Sequence, residues 1–134
     1  MYSFYVACNV WGEDFAPGVV ERETGIVFKR KNEVGDIASI GRYRNQLRPY
    51  GSGTLVLRER GETGEMIPLE GLRLVGTLLE HFERAGGTDI TIDVVVAYGN
   101  QCNLEISPEC LKILGDLGLP LTISCYEEET LREE

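Results

Sequence analysis

Within residues 69–98 the spacing of the apolar side chains changes once, and that change dictates most of what this chain can fold into. Leu72, Val75, Leu79 and Phe82, widened by Leu78, recur at three- and four-residue steps; after Gly86-Gly87, the residues Ile90, Ile92, Val94, Val96 and Tyr98 recur at every second position. The first spacing predicts an amphipathic helix from about Leu69 to Ala85, the second a half-buried strand with Thr91 and Asp93 on its other face. Glu80 and Arg84 stand four apart on the outer side of the helix, in the favourable order. A one-striped helix and a one-faced strand each need a partner layer, which points to helices covering one face of a sheet.

The flanking sequence repeats this logic. Tyr2, Phe4, Val6, Cys8 and Val10 alternate with Ser3, Tyr5, Ala7, Asn9 and Trp11, which predicts an opening strand. Gly12-Glu13-Asp14 breaks it. Phe15, Val19 and Val20 at helical spacing, Pro17 in a first turn and Gly25 at a C′ position predict a short helix over 16–24, with Asp14 helping to cap it. Ile26-Val27-Phe28 reads as a brief strand. Residues 35–53, rich in Gly, Arg, Asn and Tyr without a period, read as a long exposed loop, and loops of that length in compact domains tend to carry function. Thr54–Arg58 resumes as a strand, and a short strand is expected near Asn103–Ile106. Ser107-Pro108-Glu109 is a helix start by three criteria, namely a hydroxyl cap, a proline that needs no donor and an acid near the positive end of the dipole. Leu111, Leu114 and Leu117 form the expected buried face, Gly118 the stop, and Leu119 to Cys125 a closing strand that begins or lies at a sheet edge because of Pro120.

The reading is an α+β fold with a mixed or mainly antiparallel sheet and three helices on one face, a ferredoxin-like core with an appended βα unit. Residues 1–126 are expected to form a single domain, and 127–134 an acidic, solvated, frayed tail. At 134 residues and 43% hydrophobic composition the chain is long enough to bury a core. It lacks both an apolar run of spanning length and a leader-like start, so a cytoplasmic location without membrane association is expected.

The net charge is −9, but it is unevenly spread. Residues 29–60 hold eight basic and three acidic residues, whereas the remainder holds five and nineteen. An acidic chain makes general nucleic-acid binding an unfavoured reading, since that affinity comes from neutralising phosphates, although a local basic loop could grip an anion. The four cysteines, Cys8, Cys102, Cys110 and Cys125, show no C-x-x-C spacing. Cys8 and Cys125 fall on apolar strand phases and read as core thiols. No cofactor and no metal is expected.

Trp11-Gly12-Glu13-Asp14 after an opening strand, the helix ending at Gly25, the Arg- and Gly-rich loop, the Leu-rich helix and Ile106-Ser107-Pro108-Glu109 opening the last helix before a strand together resemble a domain-of-unknown-function family of short bacterial proteins. The resemblance runs over residues 2–126 and implies a fold rather than a reaction. It also implies an aromatic residue on the strand after the loop, where this chain has Thr54-Leu55.

Three functions remain in play. The first is a non-enzymatic interaction protein, in the manner of immunity or antitoxin proteins, whose acidic surface meets a basic partner. The second is a small-anion or single-stranded nucleic-acid binding module using Arg42, Tyr43, Arg44, Arg48 and Tyr50, whose guanidinium groups and rings suit phosphates and bases. Trp11, Glu13 and Asp14 join the candidate binding residues. The third is an enzyme using Glu13 and Asp14, with the lone His81 on the flank of the long helix as a further candidate. No catalytic residue is assigned. An edge strand and the exposed phase of the first strand leave a dimer open.

Overall fold

The computed structural model describes residues 2–132. In order, the elements are β1 (Tyr2–Gly12), α1 (Pro17–Thr24), β2 (Arg30–Asn32), β3 (Gly51–Arg58), α2 (Leu69–Arg84), β4 (Asp89–Tyr98), α3 (Pro108–Leu117), β5 (Leu121–Glu127) and a 3-10 turn at Glu129–Leu131. The sheet runs β2-β3-β1-β4-β5. β2 pairs antiparallel with β3, and β5 pairs parallel with β4 from Ile92↔Leu121 to Tyr98↔Glu127. The first four strands thus have the order of a ferredoxin-like core, and α3 with β5 extends it by one parallel strand, as a strand-helix-strand crossover requires. The architecture is α+β with a mixed sheet, as expected.

Two compact units make up the chain. The first comprises the residues up to Cys8, Val56–Gly76 and those from Thr91 onward. Its core contains Val6, Cys8, Leu72, Val75, Ile92, Val94 and Val96, with Cys110 and Leu114 contributed by α3. Ser107 caps α3 by accepting a hydrogen bond from the Cys110 amide at 3.1 Å, and Gly118 closes the helix in the left-handed conformation. The second unit comprises Asn9–Leu55 and Thr77–Ile90. Its centre is aromatic: Phe15 meets Phe28 edge-on at 6.2 Å and Phe28 meets Phe82 at 6.2 Å, all three nearly or wholly buried.

Several expectations need correction. The second strand lies at Arg30–Asn32 rather than 26–28, because Phe28 inserts singly into the aromatic centre while Val27 is exposed. The Phe28 ring lies over Gly53, a position where any side chain would meet it. β3 begins at Gly51, so the loop read as 35–53 ends at Tyr50, three residues earlier than expected. Asp14 does not cap α1; the capping position is Ala16, which has no side-chain bond to offer. No strand forms at 103–106. Leu111 and Cys125 are exposed, not core, and Leu117 is half-buried. Residues 127–132 are structured: Glu127 ends β5, the Glu128 amide donates to the Tyr98 carbonyl at 2.8 Å, and the 3-10 turn packs its Leu131 backbone against Gly99. The rest of the expected tail, residues 133 and 134, lies outside the described residues.

Candidate functional site

The chain between β2 and β3 is polar and aperiodic, yet it is closely stitched. The Gly35 amide donates to the Arg48 carbonyl at 2.9 Å and the Arg48 amide to the Asp36 carbonyl at 2.8 Å. Further out, the Ala38 amide reaches Gln46 at 3.0 Å, and the Asn45 amide reaches Ala38 at 2.8 Å. Ile37 bridges antiparallel to Leu47. Asn45 sits at φ 62°, a left-handed turn that Asn tolerates better than most residues. Ala38, paired with Gln46 and Asn45, is 1% exposed.

At the root of the lobe stands Asn32, 6% exposed. Its amide donates to the Tyr50 carbonyl at 2.8 Å, while its oxygen accepts from Arg48 Nη1 at 3.2 Å and from the Ser52 hydroxyl. A buried amide with both ends engaged fixes where the two arms of the lobe leave the sheet. Glu33 adds a second tie, accepting from the Gly18 amide of α1 at 2.9 Å. Phe28 and Lys31 are both held by Glu21: its carboxylate accepts from the Phe28 amide at 2.9 Å and pairs with the Lys31 ammonium. The Lys31 hydrogen bond, followed by that of Phe28, holds the Glu21 carboxyl below the usual glutamate range.

On this frame the predicted binding residues fall into two groups. Tyr50 touches Trp11 at a ring separation of 5.6 Å and Tyr43 at 6.0 Å, and the Arg42 guanidinium lies 5.7 Å from the Tyr43 ring centre. Tyr43, Tyr50, Arg42 and Arg48, together with Ala38 and Ile40, line an open cleft of about 430 Å³. Arg44 is exposed and does not line it. Trp11, Glu13 and Asp14 instead border a separate recess of about 460 Å³ with Glu83 and Gly86-Gly87-Thr88. The three carboxylates there, Glu13, Asp14 and Glu83, are all exposed. Gly12 and Gly86 approach so closely that a Cβ on Gly12 would overlap the Gly86 carbonyl, and the Thr88 amide donates to the Trp11 carbonyl at 2.9 Å. The Trp11-to-Asp14 motif therefore secures the turn between β1 and α1. His81 stands apart from that recess, 3.4 Å from Glu23 and 3.3 Å from Arg84. Among the described residues no group of three or more His, Cys, Asp or Glu side chains is placed to hold a metal ion.

Sequence reasoning missed the lobe's most conspicuous feature. Ile40 is 74% exposed, Ile37 72%, Leu47 66% and Val34 48%. Four large aliphatic side chains are thus exposed on one segment that also carries Tyr43 and Tyr50. The signal was present in the sequence as apolar residues without a period inside a polar loop, a pattern that serves no helix or strand.

No helix among the described residues is long and apolar enough to cross a membrane. No protein-family profile, curated protein or solved structure matches the chain.

Proposed function

We propose that this protein is a non-enzymatic interaction protein that docks to another protein through the lobe between β2 and β3. The observation that carries the reading is the exposure of Val34, Ile37, Ile40 and Leu47 on a segment whose backbone is fixed by its own hydrogen bonds. A pre-ordered apolar surface costs little further entropy on binding, and its rings and arginines are the residue types that dominate binding energy at interfaces. The partner this lobe fits has an apolar seat rimmed by carboxylates, which would meet Arg42, Arg44 and Arg48. An immunity- or antitoxin-type role with a basic partner uses the acidic remainder of the surface instead, and the two forms separate experimentally. After affinity capture from the source cells and identification of the partner, the triple variant I37S/I40S/L47S is titrated against it. Loss of about 1,000-fold or more in affinity is expected, since each buried aliphatic side chain contributes about 1.5–3 kcal/mol and about 1.4 kcal/mol is tenfold. Undiminished affinity that collapses with added salt would move the interface to the acidic body.

The cleft beneath Tyr43 and Tyr50 supports a second reading, the binding of a small anion or single-stranded nucleic acid. Stacking on Tyr43 and charge from Arg42 and Arg48 are its components. Titration with a fluorescent single-stranded oligonucleotide and with inorganic phosphate decides it. Saturable binding that R42A/R48A abolishes supports this reading, and no binding at low salt removes it.

A further inference from the structure

Outside the lobe, two of the four thiols lie together. Cys102 Sγ and Cys125 Sγ are 3.9 Å apart, although they stand 23 positions apart in the chain. Cys125 is exposed on β5, in register with Val96 of β4, and Cys102 is half-buried on the segment that leaves β4. That segment has no regular structure, but the residue after Cys102 is clamped. The Tyr2 hydroxyl donates to the Asn103 carbonyl at 2.9 Å and accepts from the Asn103 amide at 2.7 Å. The clamp presents Cys102 to the β5 edge in a fixed position. The other two thiols are buried, and burial pushes Cys8 up to about 12.

We propose that Cys102 and Cys125 are a dithiol site that closes to a reversible intramolecular disulfide by exchange with a small disulfide of the glutathione class. A bonded pair of sulfurs stands about 2.05 Å apart, so closure from 3.9 Å asks for side-chain movement of about 1 Å on each side. The exposed Cys125 thiolate attacks one sulfur of the small disulfide, forming a mixed disulfide and expelling one thiolate. The Cys102 thiolate then attacks the Cys125 sulfur, breaking the mixed bond and expelling the second. Two protein thiols are oxidised, the small disulfide is reduced to two thiols, and the two protons pass to the departing sulfurs. Burial, and then the hydrogen bond to Cys125, raises the Cys102 thiol, so the closing step quickens as pH rises toward that thiol's range. The bond would tie the segment preceding α3 to the outer strand of the sheet.

The experiment equilibrates the full chain with mixtures of reduced and oxidised glutathione, quenches with N-ethylmaleimide and reads intact mass and peptide maps. Two of the four thiols are expected to disappear together, giving one peptide linked through Cys102 and Cys125, while Cys8 and Cys110 are alkylated only after unfolding. The closing rate should rise about tenfold per pH unit below the Cys102 range, as thiolate attack requires. In C102S the reaction should stop at a lasting glutathione adduct on Cys125. The proposal is overturned if the unmodified chain also stops at that adduct, if Cys125 links two chains instead, or if all four thiols persist under mixtures that oxidise a short dithiol peptide.

Discussion

β2 runs for three residues and β5 for seven, yet the shorter outer strand carries the denser set of side-chain anchors. Lys31 is held by Glu21, Asn32 by three partners, and the adjoining Glu33 ties to α1. Along β5, residues 122–125 are exposed in succession; the Thr122 hydroxyl donates to Asp93, and the remaining ties of Tyr126 and Glu127 run to the residues just after the strand, Glu128 and Arg132, and to Arg60. The difference follows from how each strand is paired. Seven residue pairs with β4 hold β5 through its backbone, so its placement depends less on its side chains. Three pairs with β3 are too few to fix β2, so polar side chains supply what the ladder and an apolar pattern do not.

This contrast can be broken at graded cost. The largest effect is expected at Gly51, where β3 begins: a Cβ there would overlap the Phe15 carbonyl oxygen. G51A should destabilise by about 3 kcal/mol in urea unfolding, because backbone on both sides must move. An effect below 1 kcal/mol would mean that this junction yields easily. A smaller loss, about 1 kcal/mol, is expected for E21Q, which weakens the bond to Phe28 and removes the charge facing Lys31. The pH dependence has a definite sign. A carboxyl held below its unfolded value contributes fully above about pH 4.3, and the contribution disappears as pH falls through the lower folded value. Stability curves of wild type and E21Q should therefore converge on acidification; parallel curves would remove the linkage. The smallest effect, of opposite sign, belongs beside β5. Gly115 of α3 is exposed and a Cβ there meets nothing within 4 Å, so G115A should stabilise by about 0.5–1 kcal/mol, read as a raised Tm.

The same contrast explains what could be read from the sequence. β1, α2 and β4 were legible because each buries one periodic face, and α3 because Ser107 and Gly118 mark its ends chemically. α2 shows how far period carries: Leu72, Val75, Leu78 and Phe82 are buried, while Leu79 is only half-covered at the edge of the stripe. β2 is not legible because Arg30-Lys31-Asn32 has no apolar pattern and owes its position to distant partners, Glu21 through Lys31 and Tyr50 through Asn32 among them. Cys125 has the alternation of a core residue, but a strand at the sheet's edge can alternate without being covered. For the candidate site, the aromatic and arginine composition was legible and its geometry was not. Tyr43, Tyr50, Arg42 and Arg48 share a cleft, Arg44 does not, and Trp11 joins them only through Tyr50. No spacing rule links Trp11 to Tyr50, because their contact depends on where β1 ends and β3 begins.

The lobe's shape is set by bonds among its own backbone groups and by Asn32 at its root, whereas Ile37, Ile40 and Leu47 project outward. What holds the lobe and what it exposes are thereby different residues. If the lobe docks as proposed, substitutions at the outward positions would alter what the surface fits without disturbing how it is held, and one partner could be exchanged for another through successive single changes.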